Sequence, residues 1–113
     1  DVLAMASVME SQSSPHARFA AFNSGLLSYF SHRQVLNLDG VVNPEVIVEF
    51  EQRHLDLYLR SKRVDYLVDH QRWLVFYAPV FGVSLDRHYQ VVGRVPSHPF
   101  ADLLLLKRRD VQK

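Results

Sequence analysis

Three times in 113 residues the same pattern recurs: a short apolar run, a polar stop, then apolar residues at helical spacing. Arg18 to Phe22 stops at Asn23-Ser24-Gly25, Gln34 to Leu38 at Asp39-Gly40, and Val64 to Val68 at Asp69-His70. Behind these stops come Leu26, Leu27, Tyr29 and Phe30; then Ile47, Phe50, His54, Leu57 and Tyr58; then Trp73, Phe76 and Tyr77 ahead of Pro79. Short runs bounded by turn formers read as strands, and i, i+3, i+4 recurrence reads as helix. Strands alternating with helices predict a parallel sheet joined by right-handed crossovers. Past Gly82 the order changes, because Tyr89 to Val95 and Ala101 to Leu106 are β-rich and joined by Pro96-Ser97-His98-Pro99, which predicts an antiparallel hairpin. The expected fold class is α/β: a Rossmann-like three-layer domain, with three parallel strands and crossover helices followed by a C-terminal antiparallel β-hairpin.

Local signals add detail. Val2, Met5, Ala6 and Met9 predict an amphipathic helix over residues 2 to about 12. Asn43-Pro44-Glu45 reads as a helix start, since Asn caps an orphan N–H, Pro at the first position has none to lose, and Glu complements the positive end. Arg60, Lys62 and Arg63 suit the far end of that helix, and His54 falls on its apolar stripe as a core-edge histidine. Asp69 is placed to cap the short helix that carries Trp73. Lys107 to Lys113 reads as a frayed tail.

Composition narrows the function. With 48% hydrophobic and 12% aromatic residues the chain can build one core, so residues 1–113 read as a single soluble domain. Thirteen Lys and Arg against twelve Asp and Glu leave +1, too little for the basic field of a nucleic-acid binder. The absence of cysteine removes disulfides, thiolate nucleophiles and Cys-containing metal sites, and leaves the redox compartment open. The six histidines show no H-x-x-x-H or H-E-x-x-H spacing, and no metal is expected. Neither Gly-x-Gly-x-x-Gly nor a P-loop is present, so no cofactor is expected. The longest apolar runs, Trp73 to Phe81 and Leu103 to Leu106, fall far short of the roughly 20 residues that span a bilayer. Asp1 opens an apolar, helix-like stretch without the basic start of a signal peptide, which reads as a domain cut from a larger protein.

In open parallel sheets ligands bind outside the carboxyl ends of the strands. That edge gathers Asn23, Ser24, Gly25, Asn37, Asp39, Gly40, Asn43 and Asp69 as candidates for ligand binding, while turn formation and helix capping account for the same residue types. Asn37 and Asp39 share a sheet face, and Gly40 lets the backbone turn beside them. Asp39→Ala is expected to cost about 0.5 to 2 kcal/mol if its carboxylate caps backbone N–H groups. Ser24, Asp39 or Asp69, and His70 can be drawn as a hydrolytic triad, but Ser24 lacks the G-x-S-x-G elbow. Asp65 and Asp69 would lie about 13 Å apart along one strand, too far for an acid and base pair, and read as separate caps. Trp73, Phe76, Tyr77 and Phe81 have the spacing of core aromatics, with an exposed docking face as the alternative.

Ala21-Phe22-Asn23-Ser24-Gly25-Leu26-Leu27-Ser28-Tyr29-Phe30, Val35-Leu36-Asn37-Leu38-Asp39-Gly40-Val41-Val42-Asn43, Tyr58-Leu59 and Val64-Asp65-Tyr66-Leu67-Val68-Asp69 together carry a resemblance. The chain resembles, over about residues 15 to 70, the soluble C-terminal domain of bacterial multi-spanning proteins similar to dolichyl-phosphate-mannose-protein mannosyltransferases. Ser24 stands where Ala is usual, Ser28 where Gly is common, and Leu67 departs within the last strand. The resemblance implies an extracytoplasmic accessory domain on the periplasmic side of the bacterial inner membrane, in a protein that transfers sugar from a polyprenyl-phosphate donor. Its catalytic acids would lie in the membrane part, which would be the domain's partner, with a sugar acceptor or lipid-linked sugar as ligand. Asn37, Asp39, Gly40 and Asn43 match the motif. The competing expectation is a stand-alone α/β ligand- or nucleotide-binding domain or enzyme working at the strand ends.

Overall fold

The order of apolar runs dictates the order of elements in the computed structural model, which describes residues 2–22, 25–38, 54–97 and 102–110. Helix α1 (Val2–Gln12) leads to β1 (Arg18–Ala21), α2 (Gly25–Ser31), β2 (Gln34–Asn37), α3 (Leu55–Ser61) and β3 (Tyr66–His70). Helix α4 (Gln71–Tyr77) runs into a 3-10 turn (Ala78–Phe81), followed by α5 (Leu85–His88), β4 (Tyr89–Val95) and β5 (Leu103–Arg108). Pro79 lies near the start of the 3-10 turn, and Gly82 takes the left-handed φ of 75° that ends it.

The five described strands form one sheet in the order β2-β1-β3-β5-β4. β1 pairs in parallel with both β2 and β3, whereas β3 with β5 and β5 with β4 are antiparallel. This corrects the Rossmann-like expectation. The sheet is mixed, and its antiparallel ladders, five and six paired positions long, outrun the parallel ones of four and two. The cause is the run Leu103 to Leu106, in which all four side chains are buried. A strand apolar on both faces needs a neighbour on each side and a layer above and below. Pairing with β3 supplies this, so β5 lies inside the sheet and β4 takes the edge.

Strand alternation splits the core in two. Phe19, Ala21, Tyr66, Val68, Leu103 and Leu105 pack with Met5, Met9 and Leu27, on the side of α1 and α2. Ala20, Leu67, Leu104 and Leu106 pack with Leu55, Leu59, Leu74 and Phe81, on the side of α3 and α4. Register fixes the contacts: Phe19 pairs with Tyr66, and their rings stack at 4.7 Å. The close end of α1 is closed by Arg33, whose Nε and Nη2 donate to Ser13 Oγ and the Glu10 and Ser13 carbonyls, a cation on the negative helix end. A bulge lies between Val91 and Gly93, and a Cβ on Gly93 would stand 2.7 Å from Val8 Cγ1, so glycine lets α1 approach β4.

Four local expectations also change. On α3 the buried stripe is Leu55, Tyr58 and Leu59, Leu57 is exposed, and His54 precedes the helix as an exposed residue rather than lying on its stripe. Asp69 does not cap α4, where His70 occupies the N-cap and its side chain makes no capping bond. Trp73 and Phe76 are exposed rather than core. Lys107 and Arg108 belong to β5, and Arg108 is buried. The Asn43-Pro44-Glu45 helix start lies outside the described residues.

Candidate functional site

The parallel strands β2, β1 and β3 end side by side, and three sequence candidates fall among the described residues there. Asn37 pairs with Ala21 across the β1/β2 ladder, and Leu38 N donates to Ala21 O at 2.8 Å. Gly25 opens α2 with open space beside it. Asp69 is 1% exposed; its Oδ2 accepts Phe22 N at 2.7 Å and its Oδ1 accepts His70 N at 2.8 Å. Asp65 Oδ2 accepts Arg18 N at 3.3 Å at the other end of the same ladder. The two aspartates thus hold β1 against β3 from both ends, as separate clamps on backbone amides. Asn23, Ser24, Asp39, Gly40 and Asn43 lie outside the described residues.

His70 has a contact the sequence did not announce: its Nε2 lies 3.3 Å from Ser97 Oγ. With Asp69 beside it this outlines a nucleophile relay in which Ser97 stands in place of Ser24 in the triad that can be drawn from the sequence. The third link is not made, because Asp69 Oδ1 is 3.8 Å from Nδ1, beyond hydrogen-bond reach, and both carboxylate oxygens already accept backbone N–H groups. A hollow of about 100 Å³ adjoins Asp69 and His70, walled by Val2, Leu26, Leu27 and Leu103.

A larger concavity lies between α4, α5 and the β4–β5 face. It encloses about 450 Å³, with Leu74, Leu104 and Leu106 below and Gln71, Asp86 and Arg94 among its polar groups. Arg94 Nη1 donates to Asp102 Oδ2 at 2.9 Å, and Gln71 N donates to Asp102 O, which ties the mouth of the cleft to the start of β5. Its size suits a small ligand. The sequence reading missed it because its walls come from elements that become neighbours only when β5 enters the sheet.

A buried charge network was also missed. Asp56, 2% exposed, accepts Tyr89 Oη at 2.7 Å and Arg108 Nη1 at 3.2 Å on Oδ1, and Arg60 Nε at 2.9 Å on Oδ2. Arg60 reaches on to Asp110, while Arg108 Nε donates to Val64 O and its guanidinium lies 5.2 Å from the Tyr89 ring centroid. Arg108 Nη2 is buried and makes no hydrogen bond among the described residues. Burial alone would raise the Asp56 carboxyl, but hydrogen bonds from Tyr89 and Arg60 and the charges of Arg108 and Arg60 hold it below its ordinary value. Burial, and then the bond to Asp56, push the Tyr89 hydroxyl up. Strand period 2 was the available signal, since Arg108 shares a face with Leu104 and Leu106.

The aromatic cluster divides. Phe81 and Phe22 are buried, whereas Trp73 is 41% and Phe76 69% exposed, beside Val75 at 68%. Among the described residues no group of three or more His, Asp and Glu could hold a metal ion, and no helix is long and apolar enough to cross a membrane.

Fold and site together define an α/β domain with a mixed sheet, acids committed to its strand ends, a mainly apolar cleft and an exposed aromatic helix. A family model described as a domain of unknown function, DUF8728, matches residues 2–112, and the chain belongs to that family. No curated protein and no solved structure matches it.

Proposed function

We propose that this chain is an extracytoplasmic accessory domain of a polyprenyl-phosphate-sugar-dependent, glycosyltransferase-like membrane protein, on the periplasmic face of the bacterial inner membrane. In this reading it docks beside the membrane-embedded part and contributes to holding a sugar acceptor or lipid-linked sugar, without catalysing transfer itself. The motif resemblance over residues 15 to 70 supports the setting. The observation that carries the non-catalytic role is Asp69: the described acid at the strand ends is buried and spends both oxygens on backbone amides. A carboxylate so placed orders a sheet and is poorly placed to exchange protons with a substrate.

Glycosyl transfer by the full-length parent in membranes, native against Asp39→Ala, tests the reading alongside a turnover screen of the 113-residue chain. Transfer should fall by about tenfold with Asp39→Ala while the variant still folds, and the chain alone should turn nothing over. Turnover by the chain alone would refute the accessory role. The cleft of about 450 Å³ favours a second reading, a small-ligand-binding domain whose site lies between α4 and β4 rather than at the strand ends. Saturable binding of a small amphiphile, lost on Leu74→Asn but kept in Asp39→Ala, would select it.

A further inference from the structure

Helix α4 should bury more than it does. Of its seven residues only Leu74 is fully buried, while Trp73, Val75 and Phe76 present 41%, 68% and 69% of their surfaces. Together these three expose on the order of 300 Å² of mostly apolar surface, at the low end of the range of the largest apolar patch on a typical monomer, which is often functional. The patch is preformed. Trp73 meets Phe76 edge-on at 6.1 Å and stacks with Tyr77 at 5.9 Å, and Tyr77 stacks on the buried Phe22 at 4.3 Å. Aromatics held this way lose little side-chain freedom on docking.

Charge indicates what would cover it. The chain carries twelve Asp and Glu, yet none lies from His70 through Leu85, and the fixed charge in that stretch is the exposed Arg72. Rigid aromatic rings beside an arginine, with no carboxylate in the segment to repel anionic headgroups, suit the interfacial zone of a bilayer, where Trp and Tyr settle and cations are attracted. A protein groove would receive the same apolar rings but has no general need for a helix whose one fixed charge is a cation; the acid that follows in sequence, Asp86, lies on α5, across the cleft from Val75. From this we infer that α4 is a membrane-surface docking helix, which inserts Trp73, Val75 and Phe76 into the interface of an anionic bilayer with Arg72 at the headgroups. The inference rests on the accessory reading only in needing a bilayer nearby.

Trp73 is the single tryptophan, so its emission reports on the patch directly. The 113-residue chain is titrated with vesicles of phosphatidylcholine containing about one quarter phosphatidylglycerol, and with vesicles of phosphatidylcholine alone. The expected result is a blue shift on anionic vesicles, quenching by brominated acyl chains, weaker binding to neutral vesicles, and weakening by salt. Val75→Ser with Phe76→Ser should lower partitioning about tenfold or more without moving the unfolding midpoint, because both side chains are exposed. No shift on anionic vesicles, or equal partitioning by the double variant, overturns the proposal. Phe76→Ser that lowers transfer by the full-length protein while the native chain ignores vesicles also overturns it, and leaves the accessory reading standing. Vesicle binding with transfer indifferent to Phe76→Ser upholds bilayer docking and counts against a contribution to transfer.

Discussion

Replacing Asp56 by alanine should be among the most damaging single changes in this domain. The carboxylate is 2% exposed and answers three donors, Tyr89 Oη, Arg108 Nη1 and Arg60 Nε. Its removal strands the Arg108 guanidinium, itself 4% exposed, with the Val64 carbonyl and the Tyr89 ring for company. An uncompensated buried charge costs about 3–5 kcal/mol, and the orphaned Tyr89 hydroxyl falls within the same loss because the groups share one acceptor. Arg60→Ala touches a half-exposed partner and should cost about 1 kcal/mol or less. Arg108→Met leaves Asp56 with two donors and should cost roughly 1–3 kcal/mol. Joining Asp56→Ala to Arg108→Met removes both charges and should recover most of the sum of the singles. Urea unfolding of the four corners of that cycle measures the coupling, expected at about 2 kcal/mol or more. Additive losses, or an Asp56→Ala cost under about 1 kcal/mol, would mean that Arg108 reaches water in the folded state and that the network argument is wrong.

Gly93→Ala should destabilise by about 1–3 kcal/mol, seen as a lower urea midpoint, because the new Cβ meets Val8 Cγ1 at 2.7 Å and Leu105 Cβ at 3.3 Å; pairing it with Val8→Ala should restore part of the loss. Gly25→Ala, where nothing lies within 4 Å, should be neutral or stabilise by about 0.5–1 kcal/mol at the start of α2, and a clear loss in the same assay would show that the position needs glycine for its backbone. Asp69→Asn turns a donor toward one of two backbone N–H groups and should cost about 1–3 kcal/mol; lost transfer in the parent with undiminished stability would instead mark Asp69 as a reacting group. The Asp56 carboxyl is lowered on folding, so its contribution is present above the unfolded value of about 4 and disappears as pH falls through the folded one. The Tyr89 hydroxyl is raised, so its contribution is present below about 10 and is lost as pH rises beyond that, which Tyr89→Phe should abolish in thermal melts taken across the alkaline range.

Elements were legible where a single period ran uninterrupted. Val2–Gln12 buries Met5, Ala6 and Met9 as the i, i+3, i+4 spacing required, and Tyr89–Val95 has the bounds its β-rich run suggested. What pattern could not convey was which strand neighbours which. Leu103 to Leu106 is consistent with a hairpin arm or an interior strand, and only burial on both faces separates them. The α4 aromatics misled for a related reason: helical spacing locates a stripe but not the side that the sheet covers, and here the sheet takes Leu74 alone. At the strand ends, Asp69 was found by position, yet its role depended on a β1 amide 47 residues away.

That role follows from the mixed sheet. The β1/β3 ladder spans two paired positions, too few for backbone bonds alone to hold two parallel strands in register. Asp65 and Asp69 supply the missing bonds, one at each end, and the four-residue spacing that looks like two acids on one face is the spacing of two clamps. In a longer parallel ladder the backbone would do this work and leave the terminal acid free to serve a ligand. With the antiparallel β5 occupying the far side of β3, lengthening is not needed and the acid stays structural. Among the described residues, the surfaces the sheet leaves over are the exposed face of α4 and the cleft beside it. Asp69→Asn should therefore move stability and Phe76→Ser docking, and each should leave the other's readout alone.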